Sequence, residues 1–121
     1  MKVIICGGRD YAMTFADALM LCRAHGEFGF TEVVSGACRG ADSCGEAWAN
    51  CMGIPVRTFP ADWQKNGKAA GFMRNETMAK YADCVMAFPG GNGTADMVSR
   101  AEKYGLQSVN KWLGEHGKYS F

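Results

Sequence analysis

Four short stretches of the sequence carry residue types suited to holding an anion. They are Gly7-Gly8-Arg9-Asp10, Ser35-Gly36 with Arg39-Gly40-Ala41-Asp42 close behind, Arg74-Asn75, and Pro89-Gly90-Gly91-Asn92-Gly93-Thr94. Glycine has no Cβ, so the backbone N–H groups beside it can approach a phosphate oxygen closely. Arg9, Arg39 and Arg74 offer planar, bidentate contacts to the same kind of oxygen. A helix that starts directly after such a loop adds roughly half a positive charge at its first turn. Taken singly, each stretch is weak: a Gly-Gly pair after a strand is ordinary turn chemistry, and a lone arginine is ordinarily a solvated surface residue. Agreement among the four makes a phosphate-bearing small molecule the favoured ligand, with 89–94 the strongest stretch and 7–10 the next.

That agreement needs a fold that brings the stretches to one edge. The run KVIIC (2–6) is β-branched and stops at Gly7-Gly8, as a fully buried strand does. TEVVSG (31–36), IPVRTFP (54–60) and DCVMAFP (83–89) repeat the pattern, and LQSVN (106–110) makes a short fifth strand. Helical spacing is read from Tyr11 to His25, with Phe15, Ala18, Leu19 and Cys22 on its face and a stop near Gly26. Further helices are read over 40–53 (face Ala41, Cys44, Trp48, Cys51), 73–82 and 94–104. ADWQKNGKAAGF (61–72) reads as a long polar loop carrying Lys65 and Lys68, and long loops of this kind are often functional. The fold class is therefore α/β: a single Rossmann-like domain over residues 1–121, with a parallel sheet of four to five strands flanked by helices. Its core is placed at 2–105 and a surface C-terminal tail at 106–121. In open sheets of this class the ligand crevice lies beyond the carboxyl ends of the strands, where all four stretches fall.

Bulk composition narrows the classes. The chain has 121 residues, 48% hydrophobic and 21% charged, with formal charge +1 from 13 Lys+Arg and 12 Asp+Glu. That is ordinary globular composition, without the basic face that wrapping duplex nucleic acid requires. The six cysteines (6, 22, 38, 44, 51, 84) include no CxxC pair and stand near no histidine cluster, so no metal site is read from them. They are read as small core residues in a reducing compartment. No signal peptide or membrane span is read, and the expected location is cytoplasmic. No cofactor is called for. Trp48 and the methionines read as core, and His25 and His116 as surface residues. Asp10, Asp42, Asp62, Glu76 and Asp96 lie near the glycine-rich edge. Each suits a ribose hydroxyl or, equally, a helix cap or dipole partner.

In their order along the chain, VIICGGRDY, VVSGACRGAD, KAAGFMRNETM and PGGNGT resemble the SLOG superfamily, and most closely its YspA/cpYpsA-related (DUF2493) branch, over residues 2–105. The superfamily also contains the "lonely guy" (LOG) phosphoribohydrolases, which cleave the N-glycosidic bond of nucleoside 5′-monophosphates. The resemblance implies a nucleotide site in which Arg74 matches the LOG arginine. The LOG glutamate, three residues after the motif's threonine, falls on Met97. Methionine can neither stabilise an oxocarbenium-like charge nor activate water. Asp96 beside it points about 100° away around the helix.

Three classes follow. The favoured one is a binding module that senses or sequesters a nucleotide or nucleotide-derived phosphate ligand. The second is a LOG-like hydrolase with a relocated carboxylate drawn from Asp10, Asp42 or Glu76. The third is single-stranded DNA binding, as in the DprA branch, which the near-neutral charge disfavours. Gly90, Gly91, Gly93 and Thr94 are expected to hold the phosphate. Arg74 is the leading charged contact, ahead of Arg39 and Arg9, and is the catalytic residue if the protein is an enzyme. Gly7, Gly8, Ser35 and Gly36 are expected to line the base and ribose, Asp42 to contact the ligand, and Asn75 either to bind it or to cap its helix. Replacing Arg74 by alanine is expected to weaken binding with little change in fold. The resemblance also implies self-association through helices, hence a homo-oligomer.

Overall fold

Val3 and Ile5 leave the first strand on one side, Ile4 and Cys6 on the other, and all four are buried. A strand covered on both faces is what a parallel sheet requires. In the computed structural model, which describes residues 1–116, β1 (Lys2–Cys6), β2 (Glu32–Ser35), β3 (Val56–Thr58), β4 (Cys84–Ala87) and β5 (Gln107–Ser108) form that sheet. Every neighbouring pair is parallel, in the order β3-β2-β1-β4-β5. The fold is thus one small Rossmann-like α/β domain.

One face packs beneath α1 (Phe15–Phe28), α2 (Ala41–Met52) and α6 (Val109–His116). Leu21, Ala24, Trp48, Ala49, Val109 and Leu113 form its core with Val3, Ile5 and Val33. The other face packs beneath α4 (Ala70–Tyr81) and α5 (Asn92–Lys103), through Met78, Ala79, Met97 and Ala101 against Ile4, Val34 and Val85. Burying each of the Val, Leu, Ile and Met side chains contributes about 1.5–3 kcal/mol.

The chain moves from β1 to β2 and β3 on one side, then crosses to β4 and β5 on the other. The order therefore reverses between β1 and β4, where sheets of this type open a crevice at their carboxyl ends. Cys6 is in register with Ala87, so the loops after β1 and β4 leave side by side, and the Gly8 N–H donates to the Pro89 carbonyl at 2.8 Å.

Three local expectations are corrected. The first helix starts at Phe15, not Tyr11, because Thr14 closes a capping box with Asp17. It runs through Gly26 and ends at Gly29, whose left-handed φ of 63° makes the C-cap. Its buried face carries Leu21 and Ala24, while Phe15 and Leu19 are exposed. The long loop at 61–72 is instead helical. Asp62 caps α3 (Trp63–Asn66), accepting from the Lys65 N–H at 3.0 Å, and a 3₁₀ turn at Gly67–Ala69 leads into α4. The described part of the expected surface tail holds β5 and α6, and α6 closes one face of the core with Val109 and Leu113. Residues 117–121 of that tail lie outside the described residues.

Candidate functional site

The glycines at the carboxyl edge divide into two kinds. A Cβ on Gly7 would stand 2.6 Å from the Ala41 Cβ, and one on Gly8 3.0 Å from the Pro89 carbonyl oxygen. One on Gly90 would stand 2.7 Å from the Gly8 nitrogen, and one on Gly40 2.5 Å from Arg9 backbone. These four let the loops after β1 and β4 and the start of α2 close onto each other. Gly91 and Gly93 differ: nothing lies within 4 Å of a Cβ on either. Their backbone faces open space.

That space is a cavity of about 400 Å³ at the β1/β4 switch point. It is bounded by Gly7, Gly8 and Arg9 from the first loop, Gly36 and Asp42 from the second, Arg74 and Asn75 from α4, and Gly91, Gly93 and Thr94 from the start of α5. Ten of the sequence-selected residues therefore meet in one place. Three do not line it. The Ser35 hydroxyl is buried, donating to Glu46 at 2.6 Å and accepting from the Ala37 N–H at 3.1 Å. It thereby supports Ala37 in a left-handed conformation, φ 60°. Arg39 pairs with Asp10 at 3.2 Å outside the lining, and both side chains are largely exposed, so the pair contributes no more than about 1 kcal/mol. Gly90 is enclosed by Thr94 and Gly8.

No side chain caps the start of α5 at Gly91. The Ala95 N–H closes onto the Gly91 carbonyl, which leaves the first-turn N–H groups of Asn92, Gly93 and Thr94 without intrahelical acceptors. α1 and α3 carry Thr14 and Asp62 as caps, whereas α2 and α4, like α5, have no side-chain cap. An uncapped helix start beside open glycines has the geometry and the dipole that favour an anion.

Arg74 is more committed than its sequence position suggests. Its Nη1 donates to the Gly36 carbonyl and, at 3.3 Å, to the Phe59 carbonyl, joining α4 to the ends of β2 and β3. Its Nε donates to Asn75 Oδ1 at 3.1 Å. Nη2 has only the Cys38 sulfur, at 3.9 Å, and is the least engaged part of the guanidinium. Asn75 does not cap its helix. Its amide donates to the Gly93 carbonyl at 3.2 Å and to Asp96 at 3.0 Å, which ties α4 to the start of α5.

Among the described residues, Asp42 is the carboxylate that lines the cavity. Burial pushes its pKa above the usual carboxylate value, opposed by the Cys38 N–H at 3.3 Å and by the Arg74 charge. Asp96 and Glu76 are engaged with Arg100 on the outer side of α4 and α5. Asp62 caps α3, and Asp10 faces solvent. Burial, with the Asp42 charge, pushes the Cys6 thiol up to about 12, so it stays protonated. Among the described residues no group of three His, Cys, Asp or Glu could hold a metal ion, and no helix is long and apolar enough to cross a membrane.

The rest of the wall includes Lys68, which the sequence reading places in its suspected loop, and Met97, while Trp63, Gly71 and Phe72 from the 63–72 helical segment, with Cys6, Cys38 and Met78, were not selected. The readable signal was Asp62 as an N-cap, which turns the supposed loop into helix and directs it at the site. Met97, at the LOG glutamate position, is 1% exposed and belongs to the core as well as the wall.

The chain is 34% identical over 119 residues to the Gene 61 protein of Mycobacterium phage D29, across 90% of this chain and 94% of that protein. A family model described as the YspA, cpYpsA-related SLOG family matches residues 1–66, which contain the loops after β1 and β2 and the α3 cap. The chain belongs to the YspA, cpYpsA-related SLOG family.

Proposed function

We propose that the protein binds a nucleotide or nucleotide-derived phosphate ligand at the carboxyl edge of its sheet, as a sensing or sequestering module. The uncapped start of α5, with Gly91 and Gly93 open to the cavity, carries this reading. Arg9, Lys68 and Arg74 outnumber Asp42 in the lining, which favours an anion. A whole-chain charge of +1 and a cavity of about 400 Å³ suit a small molecule better than duplex nucleic acid. Calorimetric titration with AMP and with adenosine tests the reading. AMP is expected to bind at least about tenfold tighter, as a charged hydrogen-bond contribution of ~1.5–3 kcal/mol requires. Equal affinities, or no binding of either, would reject it.

A second reading is N-glycosidic hydrolysis with Asp42 as the base that activates water. One observation favours it: Asp42 is a buried carboxylate facing the same cavity as Arg74. Free adenine released from AMP and lost in Asp42→Asn would establish that reading. Its absence, with binding intact, leaves the binding module.

A further inference from the structure

Trp63 and Phe72 are 49% and 43% exposed, yet both line the cavity. Most other aromatic rings pack on one another, as Tyr11 does on Phe88 and Phe28 on Trp112, and the exposed exceptions Phe15 and Tyr104 do not line the cavity. Trp63 and Phe72 have no such partner among the described residues. Large apolar side chains left in water on the wall of a cavity that also carries Arg9, Lys68 and Arg74 call for an occupant with both an apolar and an anionic part.

Gly71 shows how this wall meets the charged part of the site. A Cβ there would lie 3.3 Å from the Trp63 ring and 3.9 Å from Arg74 Nη2. The indole and the uncommitted edge of the guanidinium thus flank one small residue. A ligand reached by Arg74 can also reach the ring. Met78 and Met97 extend the apolar surface inward.

The lining has no free side-chain amide to read a base by its edge. Asp42 is engaged by the Cys38 N–H and the Arg74 charge, and Thr94 stands against Gly90 at the start of α5, which leaves Arg9 as one further donor there. Such reading uses a fixed amide or hydroxyl in bidentate register. The one amide side chain in the lining, Asn75, has both polar atoms engaged with Arg74, Gly93 and Asp96. The Ser35 hydroxyl is turned away to Glu46. Lys68 is a point charge on a flexible stem and holds no fixed pattern.

We propose that Trp63 and Phe72 form a stacking wall that recognises the base of the ligand by its face rather than its edge. The site therefore accepts nucleotides by ring area, purine over pyrimidine, with little discrimination between adenine and guanine. This rests on the phosphate-ligand reading above and adds the selectivity of the same site.

The test is calorimetric titration of the full chain with AMP, GMP, CMP, UMP and ribose 5-phosphate, repeated on Trp63→Ala and Trp63→Phe. AMP and GMP are expected within about threefold of each other. Ribose 5-phosphate should bind roughly tenfold or more weakly, in line with the 1–3 kcal/mol of one base–aromatic stack, with CMP and UMP between. Trp63→Ala should erase the advantage of AMP over ribose 5-phosphate without weakening ribose 5-phosphate itself, and Trp63→Phe should restore most of it. If AMP and ribose 5-phosphate bind alike, or AMP exceeds GMP by more than tenfold, the stacking wall is wrong while phosphate recognition stands. Failure of all five to bind overturns both readings. Light scattering on the same samples checks the other occupant of an apolar wall: if Trp63→Ala dissociates an oligomer and leaves AMP selectivity unchanged, the wall is a contact between copies of this chain and the proposal fails.

Discussion

The Asn75 side-chain amide donates to the Gly93 carbonyl at 3.2 Å, so a residue of α4 holds the first turn of α5. The same nitrogen reaches Asp96 at 3.0 Å, and Oδ1 accepts from Arg74 Nε at 3.1 Å. The reverse amide orientation would set an oxygen against two acceptors. Asn75 therefore positions both the uncapped helix start and the cavity arginine.

Asn75→Ala removes a buried amide, and the exposed Gly93 carbonyl and half-buried Arg74 Nε lose these partners. Loss of about 1–3 kcal/mol in urea unfolding is expected, together with weaker AMP binding. Unchanged AMP affinity in the folded variant would separate the α5 start from ligand binding.

Two glycine substitutions should behave oppositely. On Gly36 a Cβ would stand 2.6 Å from Arg74 Nη1 and 2.9 Å from Asp42 Oδ2, so Gly36→Ala displaces both and is expected to destabilise by roughly 1–3 kcal/mol. On Gly93 a Cβ meets nothing within 4 Å, and Gly93→Ala should change stability by less than about 1 kcal/mol. Its methyl projects into the space assigned to the ligand, so AMP binding should fall. Thermal melts and titrations of both variants decide the matter.

Arg74→Ala was expected from the sequence to weaken binding alone. The bonds to the Gly36 and Phe59 carbonyls change that expectation. The variant should lose about 1–3 kcal/mol of stability as well as affinity, because two backbone acceptors lose their donor. Full stability in urea would show that water replaces the guanidinium at no cost.

Asp42 gives a pH signature. Its folded-state pKa is raised, so folding favours its protonated form. The stability it allows is present below the unfolded carboxylate pKa and is lost as pH rises through the raised folded value. Asp42→Asn should therefore raise the melting temperature at neutral pH relative to the parent, with the difference shrinking in acid. A parent more stable than the variant at pH 7 would contradict the burial effect.

Glu76 works in the other direction. The Tyr104 hydroxyl and then Arg100 hold its carboxyl at about 2, below the ordinary 4.5. Its contribution is full above about 4.5 and disappears as pH falls toward 2. Glu76→Gln should flatten the acid limb of the melting curve between those values. An unchanged limb would show that this cluster does not govern acid unfolding.

The sequence alone determined the parts whose signals are local. Buried strands ending at glycine, alternating with helical spacing, dictate a parallel α/β sheet, and that topology sends the loops after β1, β2 and β4 to one edge. Hence ten of the selected residues meet in one cavity. Only the tertiary structure decided which glycines face the cavity and which admit neighbouring backbone, because Gly90 and Gly91 differ in what surrounds them and not in type. It also decided that Arg74 joins two strand ends, that Asp42 rather than Asp96 or Glu76 faces the cavity, and that the 63–72 segment brings two aromatic rings to its wall. The reason is common to all of these. A residue's conformational tendency is written in its neighbours along the chain. The hydrogen bonds that commit an arginine or free a carboxylate come from residues tens of positions away, brought near only by packing the sheet between its helices.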